Sequence, residues 1–308
     1  MGQRKIVVLG TGGTLAGTSA SPGDNIGYKA AQVGIAQLLA GIPALQGVPT
    51  ESEQVAQVDS KDMTFAIWRA LASRCAHWLA QEDVAGIVIT HGTDTIEETS
   101  FFLQEVLAPT KPVALTCAMR PSTAISPDGP QNIVDAVAVA SSAQARGVTV
   151  VCAGVIHDAR DVAKVHNWRL DPFSSADEGP VGYVEEGKLR MVREWPPAAP
   201  RPPLLARVEA AQEWPRVEIV FSHAGARGDT VQSLAAQGVR GIVVAATGNG
   251  SVHDALLPAL RAAQARQVKV LRATRCAEGG IIAKPGDEFP ATNLSPVKAR
   301  IKLMLELL

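Results

Sequence analysis

Apolar residues fall along the chain in two rhythms. Short runs rich in β-branched residues, Lys5 to Leu9, Ala85 to Ile89, Val113 to Thr116 and Val148 to Val151, have the pattern of strands buried on both faces. Between them Phe65, Trp68, Leu71, Ala72, Cys75 and Leu79 recur at helical steps, as do Ile133, Val134, Val137 and Ala140, each set forming one apolar helix stripe. Strand alternating with helix predicts a parallel sheet covered on both sides. Thr95-Ile96-Glu97-Glu98 predicts a capping box, opening a helix that has stopped by Pro109.

Strict alternation over Val181 to Val192 predicts a hairpin turning at Glu186-Gly187. Trp195 to Pro203 then holds five prolines in nine residues, which suits an extended, semi-rigid connector. A second α/β pattern follows: strand Val217 to Phe221, helix near Thr230 to Gln237, strand Gly241 to Ala246, a helix from His253, strand Val268 to Leu271, and a last helix capped by Ser295-Pro296. The expected architecture is two open parallel-sheet α/β domains, a larger N-terminal one (1–192) and a smaller C-terminal one (216–308), joined by a Pro-rich linker (193–215).

Composition narrows the function. Twenty-nine basic and thirty acidic residues leave a net charge of −1, without the positive field that nucleic-acid binding needs. A chain of 308 residues buries roughly three quarters of its unfolded surface, so its core needs neither metal nor disulfide. No apolar stretch approaches the ~18 residues of a membrane span, and the run Ile6 to Gly10 is too short for a signal peptide. Ile6 also stands where myristoylation wants Ser or Thr. A soluble, cytoplasmic chain is expected, provided no export signal was removed ahead of it. Cys75, Cys117, Cys152 and Cys276 form no C-x-x-C, and the histidines show no H-x-x-x-H. No metal and no cofactor is expected.

Chemistry concentrates just after two predicted strands. Gly10-Thr11-Gly12-Gly13-Thr14-Leu15-Ala16-Gly17 follows the first, and Thr90-His91-Gly92-Thr93-Asp94 follows the run ending at Ile89, so both lie at the carboxyl edge where open sheets bind ligands. Neither phosphate motif fits: Leu15 replaces the third dinucleotide glycine, and Thr18 replaces the P-loop lysine. Hydroxyls set among glycines instead let backbone N–H groups approach a substrate oxygen closely. A third segment, Asp59-Ser60-Lys61-Asp62, precedes the Trp68 helix, with Ser60 or Asp62 as its N-cap in the purely structural reading. Asp94 or Thr95 is likewise an N-cap in that reading. Tyr28 closes the polar stretch Ser19 to Tyr28, which suits a substrate-covering lid. Lys164 follows the strand ending near Gly154.

Thr11-Gly12-Gly13-Thr14-Leu15-Ala16 and His91-Gly92-Thr93-Asp94-Thr95-Ile96-Glu97-Glu98-Thr99 resemble the two signature motifs of the bacterial-type L-asparaginases and glutaminase-asparaginases. The similarity continues through Ala118 to Thr123, Asp161 to Asn167 and Ser295 to Arg300. The resemblance implies an amidohydrolase that cleaves the side-chain amide of L-asparagine through a covalent acyl-enzyme. Thr11 is then the nucleophile and Tyr28 its loop partner, while Thr93, Asp94 and Lys164 form a second catalytic group. Ser60, Thr93, Asp94 and the main chain at Ala118 match substrate-binding positions. A homotetramer, a dimer of dimers with sites between domains of neighbouring subunits, is also implied.

These residue types suit the task. A threonine hydroxyl needs a neighbouring base, and a desolvated lysine beside a carboxylate can share protons along a Thr-Lys-Asp chain; which hydroxyl meets which base stays open. Asp94 suits the substrate ammonium, Ser60 its carboxylate, and the backbone near Thr93 and Ala118 the growing oxyanion. Three positions depart from the family pattern. Lys61 stands where many members have glutamine. Ser251 stands where asparagine-preferring members have Asn and several dual-activity members have Ser, so glutaminase side activity is expected. The second-domain glutamate aligns poorly, with Asp287 or Glu288 as candidates. Two other readings stay in view: an amidotransferase-like amidase for a larger substrate, which would need a basic surface and an extra domain, and a non-catalytic sensor of aspartate or asparagine.

Overall fold

The computed structural model describes residues 4–19, 21, 23–195 and 204–308. They divide into two compact units, Met1–Leu205 and Ala206–Leu308. Residues 196–203 of the expected connector lie outside the described residues.

In the first unit the elements follow as β1 (Lys5–Gly12), α1 (Ile35–Ala40), β2 (Thr50–Val58), α2 (Phe65–Leu79), β3 (Val84–Thr90), α3 (Ile96–Leu107), β4 (Val113–Thr116), α4 (Gly129–Ser141), β5 (Val148–Cys152), β6 (Val155–Asp158), β7 (Ala163–Lys164), β8 (Phe173–Ser174), β9 (Gly182–Glu185) and β10 (Lys188–Met191). Eight strands form one sheet in the order β10-β9-β6-β5-β4-β3-β1-β2, and β7 pairs with β8 separately. From β5 to β2 the pairing is parallel, while β6, β9 and β10 are added antiparallel.

Side-chain alternation along the strands divides the core. Ile6 and Val8 join Val88, Ala114 and Val151 against Ile35 of α1 and Ile133, Val137 and Ala140 of α4. Val7, Leu9, Ile87, Ile89 and Leu115, also fully buried, point to the other face, where α2 and α3 pack. There the rings of Trp68 and Phe102 stack at 4.8 Å.

Several local expectations are corrected. The buried stripe of α2 is completed by Trp78 rather than Leu79, because Trp78 covers apolar surface while its indole donates to Glu53 Oε2 at 2.8 Å. The cap of α2 is Thr64, which accepts from Ile67 N, and neither Ser60 nor Asp62; those two belong to a separate single turn. The Thr95 capping box is not made: the Thr95 hydroxyl accepts no cap bond and is turned to Ser60 O, to which it donates at 2.7 Å. The hairpin forms as expected, with Glu186 (φ 48°) and Gly187 (φ 72°) as the two left-handed residues that such a turn requires.

Helix α5 (Leu205–Ala210) follows, and the second unit continues with β11 (Val217–Phe221), α6 (Asp229–Ala236), β12 (Gly241–Ala246), α7 (Leu257–Ala265), β13 (Lys269–Thr274), β14 (Ala291–Thr292) and α8 (Pro296–Leu307). Its sheet is parallel, ordered β11-β12-β13-β14. The helix expected from His253 begins instead as a single turn, Asp254–Leu256, before α7. Ser295 sits at the N-cap position of α8 with Pro296 behind it, but its hydroxyl makes no cap bond. Among the described residues no helix is long and apolar enough to cross a membrane.

Gly86 shows how tightly β3 is covered: an added Cβ would lie 2.3 Å from Ala140 O and 3.0 Å from Pro112 O, both backbone atoms. Gly86→Ala is therefore expected to cost ~1–3 kcal/mol by overpacking. Urea unfolding measures this as an earlier midpoint, and an unmoved midpoint would show that the backbone can yield there.

Candidate active site

Adjacent strands end in register along one edge. Gly10 of β1 faces Thr90 of β3, Gly12 faces Val58 of β2, and Thr90 faces Thr116 of β4. The segments after these strands, at 11–17, 59–62, 91–95 and 117–120, therefore start side by side. Two glycines let them touch. A Cβ on Gly13 (φ 82°) would lie 2.5 Å from Gly92 N, and one on Gly92 would lie 2.5 Å from Ser60 Oγ.

Thr11 is 1% exposed and donates its hydroxyl to Thr90 O at 2.8 Å. The Tyr28 hydroxyl lies 2.6 Å from Thr14 Oγ1, so Tyr28 is seated on Thr14 rather than on Thr11. Of the lid expected over Ser19 to Tyr28, Ala20 and Pro22 lie outside the described residues. The base of this loop is held where Ser122 donates from both N and Oγ to Gly17 O.

Lys164, placed by β7, donates from Nζ to Thr93 Oγ1 at 2.7 Å and to Asp94 Oδ1 at 2.6 Å. Its backbone N–H is fixed on Glu97 Oε2, in the first turn of α3. The lysine side chain is 17% exposed and that of Asp94 55%, so the ion pair is closed on one side and open on the other. Ser60, itself buried, accepts from Asp94 N at 3.3 Å. Ala118 is fully buried after β4, with the chain pinned on both sides: Asn132 Nδ2 donates to Cys117 O, while Asp128 accepts from Met119 N and Arg120 N, each at 2.9 Å. A cleft of about 280 Å³ lined by Asn25, Met119, Arg120, Trp168, Arg169 and Leu170 opens near these segments.

The structure thus joins Ser60, Thr93, Asp94 and Lys164 by direct hydrogen bonds and brings the Thr11 turn against theirs through Gly13. Asp128 and Asn132 were not anticipated; the Asp-Gly-Pro at the start of α4 marks the turn, but nothing local shows which backbone groups it holds. Lys61 turns to Asp62 in an ion pair. In the second unit Ser251 pairs with Thr247, Asp287 accepts from Arg272 and the Lys284 backbone, and Glu288 takes both Nε and Nη2 of Arg261. These partners hold both carboxyls below the usual carboxylate range, Lys284 N–H acting first on Asp287 and Arg261 on Glu288. Among the described residues no His, Cys, Asp and Glu cluster could hold a metal ion.

His91, at the base of the second turn, is completely buried, and burial pushes its imidazole down to about 4, with the Gly92 carbonyl opposing part of the effect. The unfolded chain, titrating near 6.5, takes up that proton first. Stability from this group is therefore complete above 6.5 and lost as pH falls towards about 4, on the order of 3 kcal/mol in all. Urea unfolding across this range should fall less steeply for His91→Asn than for the wild type; parallel slopes would mean His91 titrates normally.

The whole chain is similar to known proteins. Residues 5–197 match the family model described as Asparaginase, N-terminal, and residues 216–308 the one described as Glutaminase/Asparaginase C-terminal domain. A glutaminase-asparaginase of Pseudomonas fluorescens biotype A is 39% identical, covering 98% of this chain and 86% of that protein. L-asparaginase 2 of Bacillus subtilis is 36% identical, covering 98% and 82%. The crystal structure of a probable cytoplasmic L-asparaginase from Campylobacter jejuni superposes with a TM-score of 0.92 at 37% identity, covering 99% of this chain and 95% of that one.

Proposed function

This chain belongs to the asparaginase family, and from that membership we propose that it hydrolyses the side-chain amide of L-asparagine to L-aspartate and ammonia, with glutaminase as a side activity. The observation that carries the reading is the Thr93–Lys164–Asp94 hydrogen-bond chain in a turn that touches the Thr11 turn.

Thr11 Oγ1 is the nucleophile. It attacks the amide carbon, its proton passes to the leaving nitrogen, ammonia departs, and water cleaves the resulting ester to release aspartate and restore the hydroxyl. In the present arrangement the Thr11 hydroxyl donates to a carbonyl, which cannot take a proton. Activation therefore requires its hydroxyl to turn from Thr90 O, with Tyr28 passing from Thr14 to Thr11 or the proton leaving through Thr93. Asp94 holds the substrate ammonium, the Ser60 side the carboxylate, and main chain at Thr93 and Ala118 faces the amide oxygen, where charge grows. One observation favours a variant of this scheme: Thr93 is the hydroxyl that touches a lysine amine, so it is the alternative nucleophile.

The same reading includes residues 1–192 as the catalytic domain, 193–215 as linker, 216–308 as the second domain, and a homotetramer, supported by the exposed Ile26, Ile125 and Trp168 near the site segments. Free Cys75, Cys117, Cys152 and Cys276 support a reducing, cytoplasmic location. The Asp287 and Glu288 ion pairs weigh against either carboxylate serving a neighbouring subunit, since each would have to leave its arginine.

Thr11→Ala and Thr93→Ala are each expected to abolish ammonia release from asparagine and glutamine with circular dichroism unchanged, and Lys164→Met to lose at least the ~10²-fold typical of a general acid/base. Full turnover in either threonine variant would refute its role. Mass spectrometry after reaction with a diazoketone analogue of the substrate should find the adduct on Thr11; an adduct on Thr93 selects the alternative. Light scattering should give four times the chain mass, and a monomer would remove the assembly from the reading.

A further inference from the structure

Four groups form a buried line beneath the second turn. Trp68 Nε1 donates to Thr99 Oγ1 at 2.9 Å, Thr99 Oγ1 lies 2.9 Å from His91 Nε2, and His91 Nδ1 lies 2.7 Å from Gly92 O. Thr99 and His91 are fully buried and Trp68 is 4% exposed. The ends of the line have single roles: a carbonyl only accepts and an indole N–H only donates. A neutral imidazole between them must carry its hydrogen on Nδ1, for Gly92 O, and accept at Nε2 from Thr99, whose lone pair Trp68 fills. Each hydrogen then has one place, and burial keeps the ring neutral.

The held atom matters because of what shares its peptide. Gly92 C=O and Thr93 N–H belong to one planar trans unit and point in opposite directions. A carbonyl anchored on the buried His91 therefore turns the Thr93 N–H away from the core. Among the described residues no group accepts from that N–H, although Thr93 is only 6% exposed. We propose that His91 is a positioning residue for amide hydrolysis: the Trp68–Thr99–His91 line locks the Gly92–Thr93 peptide so that the Thr93 N–H is aimed in advance at the oxygen that becomes negative in the tetrahedral state. The inference rests on the hydrolytic reading above and adds to it a reason for the buried histidine.

The design has a kinetic signature. An aimed oxyanion donor stabilises the transition state more than bound substrate, so its disorientation lowers kcat with little change in KM. His91→Leu removes the donor to Gly92 O and is expected to lower kcat by ~10-fold or more, up to the ~10²–10³ lost with a whole oxyanion donor, with KM changed by less than about two-fold. His91→Asn, whose Nδ2 stands where Nδ1 stood, should recover most of that loss, and Thr99→Val should fall between them. A purely structural role would instead lower the unfolding midpoint of all three variants without this order in kcat.

Wild-type protein labelled with ¹⁵N in its imidazoles gives a reading that needs no variant to fold. One histidine should show a protonated Nδ1 and a bare Nε2, unchanged from pH ~8 to ~5.5, where an ordinary imidazole would have gained its proton. A folded His91→Leu enzyme with wild-type kcat, an Asn variant as slow as the Leu variant, or the absence of any such non-titrating histidine would each overturn the proposal. Wild type that releases no ammonia from either amide removes the hydrolytic reading itself, and with it the oxyanion role, so the two failures are told apart by the parent enzyme.

Discussion

Gly13 and Gly92 meet backbone to backbone, in a space where a Cβ on the first would come within 2.5 Å of the second's nitrogen. Most of the candidate site depends on this contact. β1 and β3 are neighbours in the sheet, but their following turns would be held apart by side chains if either glycine were larger. Ser60 closes against the far side of Gly92, so a third segment is stacked on the same pair. Sheet register puts the strand ends side by side; the missing side chains then let the turns that carry the hydroxyls lie against one another.

Each hydroxyl in these turns has a different partner, and the partner sets what it can do. Thr11 bonds a backbone carbonyl, Thr14 bonds a phenol, Ser60 accepts an amide N–H, and Thr93 bonds a lysine amine that also bonds a carboxylate. Only the last joins a hydroxyl to an amine and, through it, to a carboxylate. The lysine owes its place to two weak-looking features: a two-residue strand, β7, and a backbone bond to Glu97. Glu97 lies in the first turn of α3, directly beyond the motif that carries Thr93 and Asp94, so one short segment supplies both the side chains that Lys164 Nζ bonds and the carboxylate that holds its backbone N–H.

The parallel sheet and the identity of the edge residues were legible in the chain because each rests on a local rule. Buried strands read as unbroken apolar runs, and turns after them read as glycines and hydroxyls. What local rules missed was settled by tertiary partners. Thr95 has the letters of a capping box, yet its hydroxyl hydrogen goes to Ser60 O, a partner supplied by a segment 35 residues away. Leu79 fits the helical stripe as well as Trp78 does, but Glu53 on β2 rewards the residue with an N–H to donate. The seat of Tyr28 on Thr14 is of the same kind, since both threonines of the first turn are equally available in the sequence. His91 was visible as a letter in a motif, whereas its role depends on Trp68 and Thr99, which lie on two different helices.

The two sides of the site differ in how firmly they are held, and magnitudes say which side moves. On the loop side Tyr28 is joined to the turn by one hydrogen bond from a half-buried ring. Exchanging that bond for another costs on the order of 1 kcal/mol or less, because a typical intramolecular hydrogen bond contributes only ~0.5–1.5 kcal/mol net. On the core side, moving the Gly92 peptide would strand the His91 N–H and the Gly92 carbonyl in a dry interior, where each unpaired polar group costs ~1–3 kcal/mol. The same displacement would drive Gly92 into Gly13 or Ser60. On the proposed hydrolytic reading, adjustment to a substrate therefore belongs to the Tyr28 loop, while the Gly92–Thr93 peptide keeps its direction. Under that reading, a site divided in this way would admit its substrate by trading one cheap contact and still present a fixed dipole to the charge that develops.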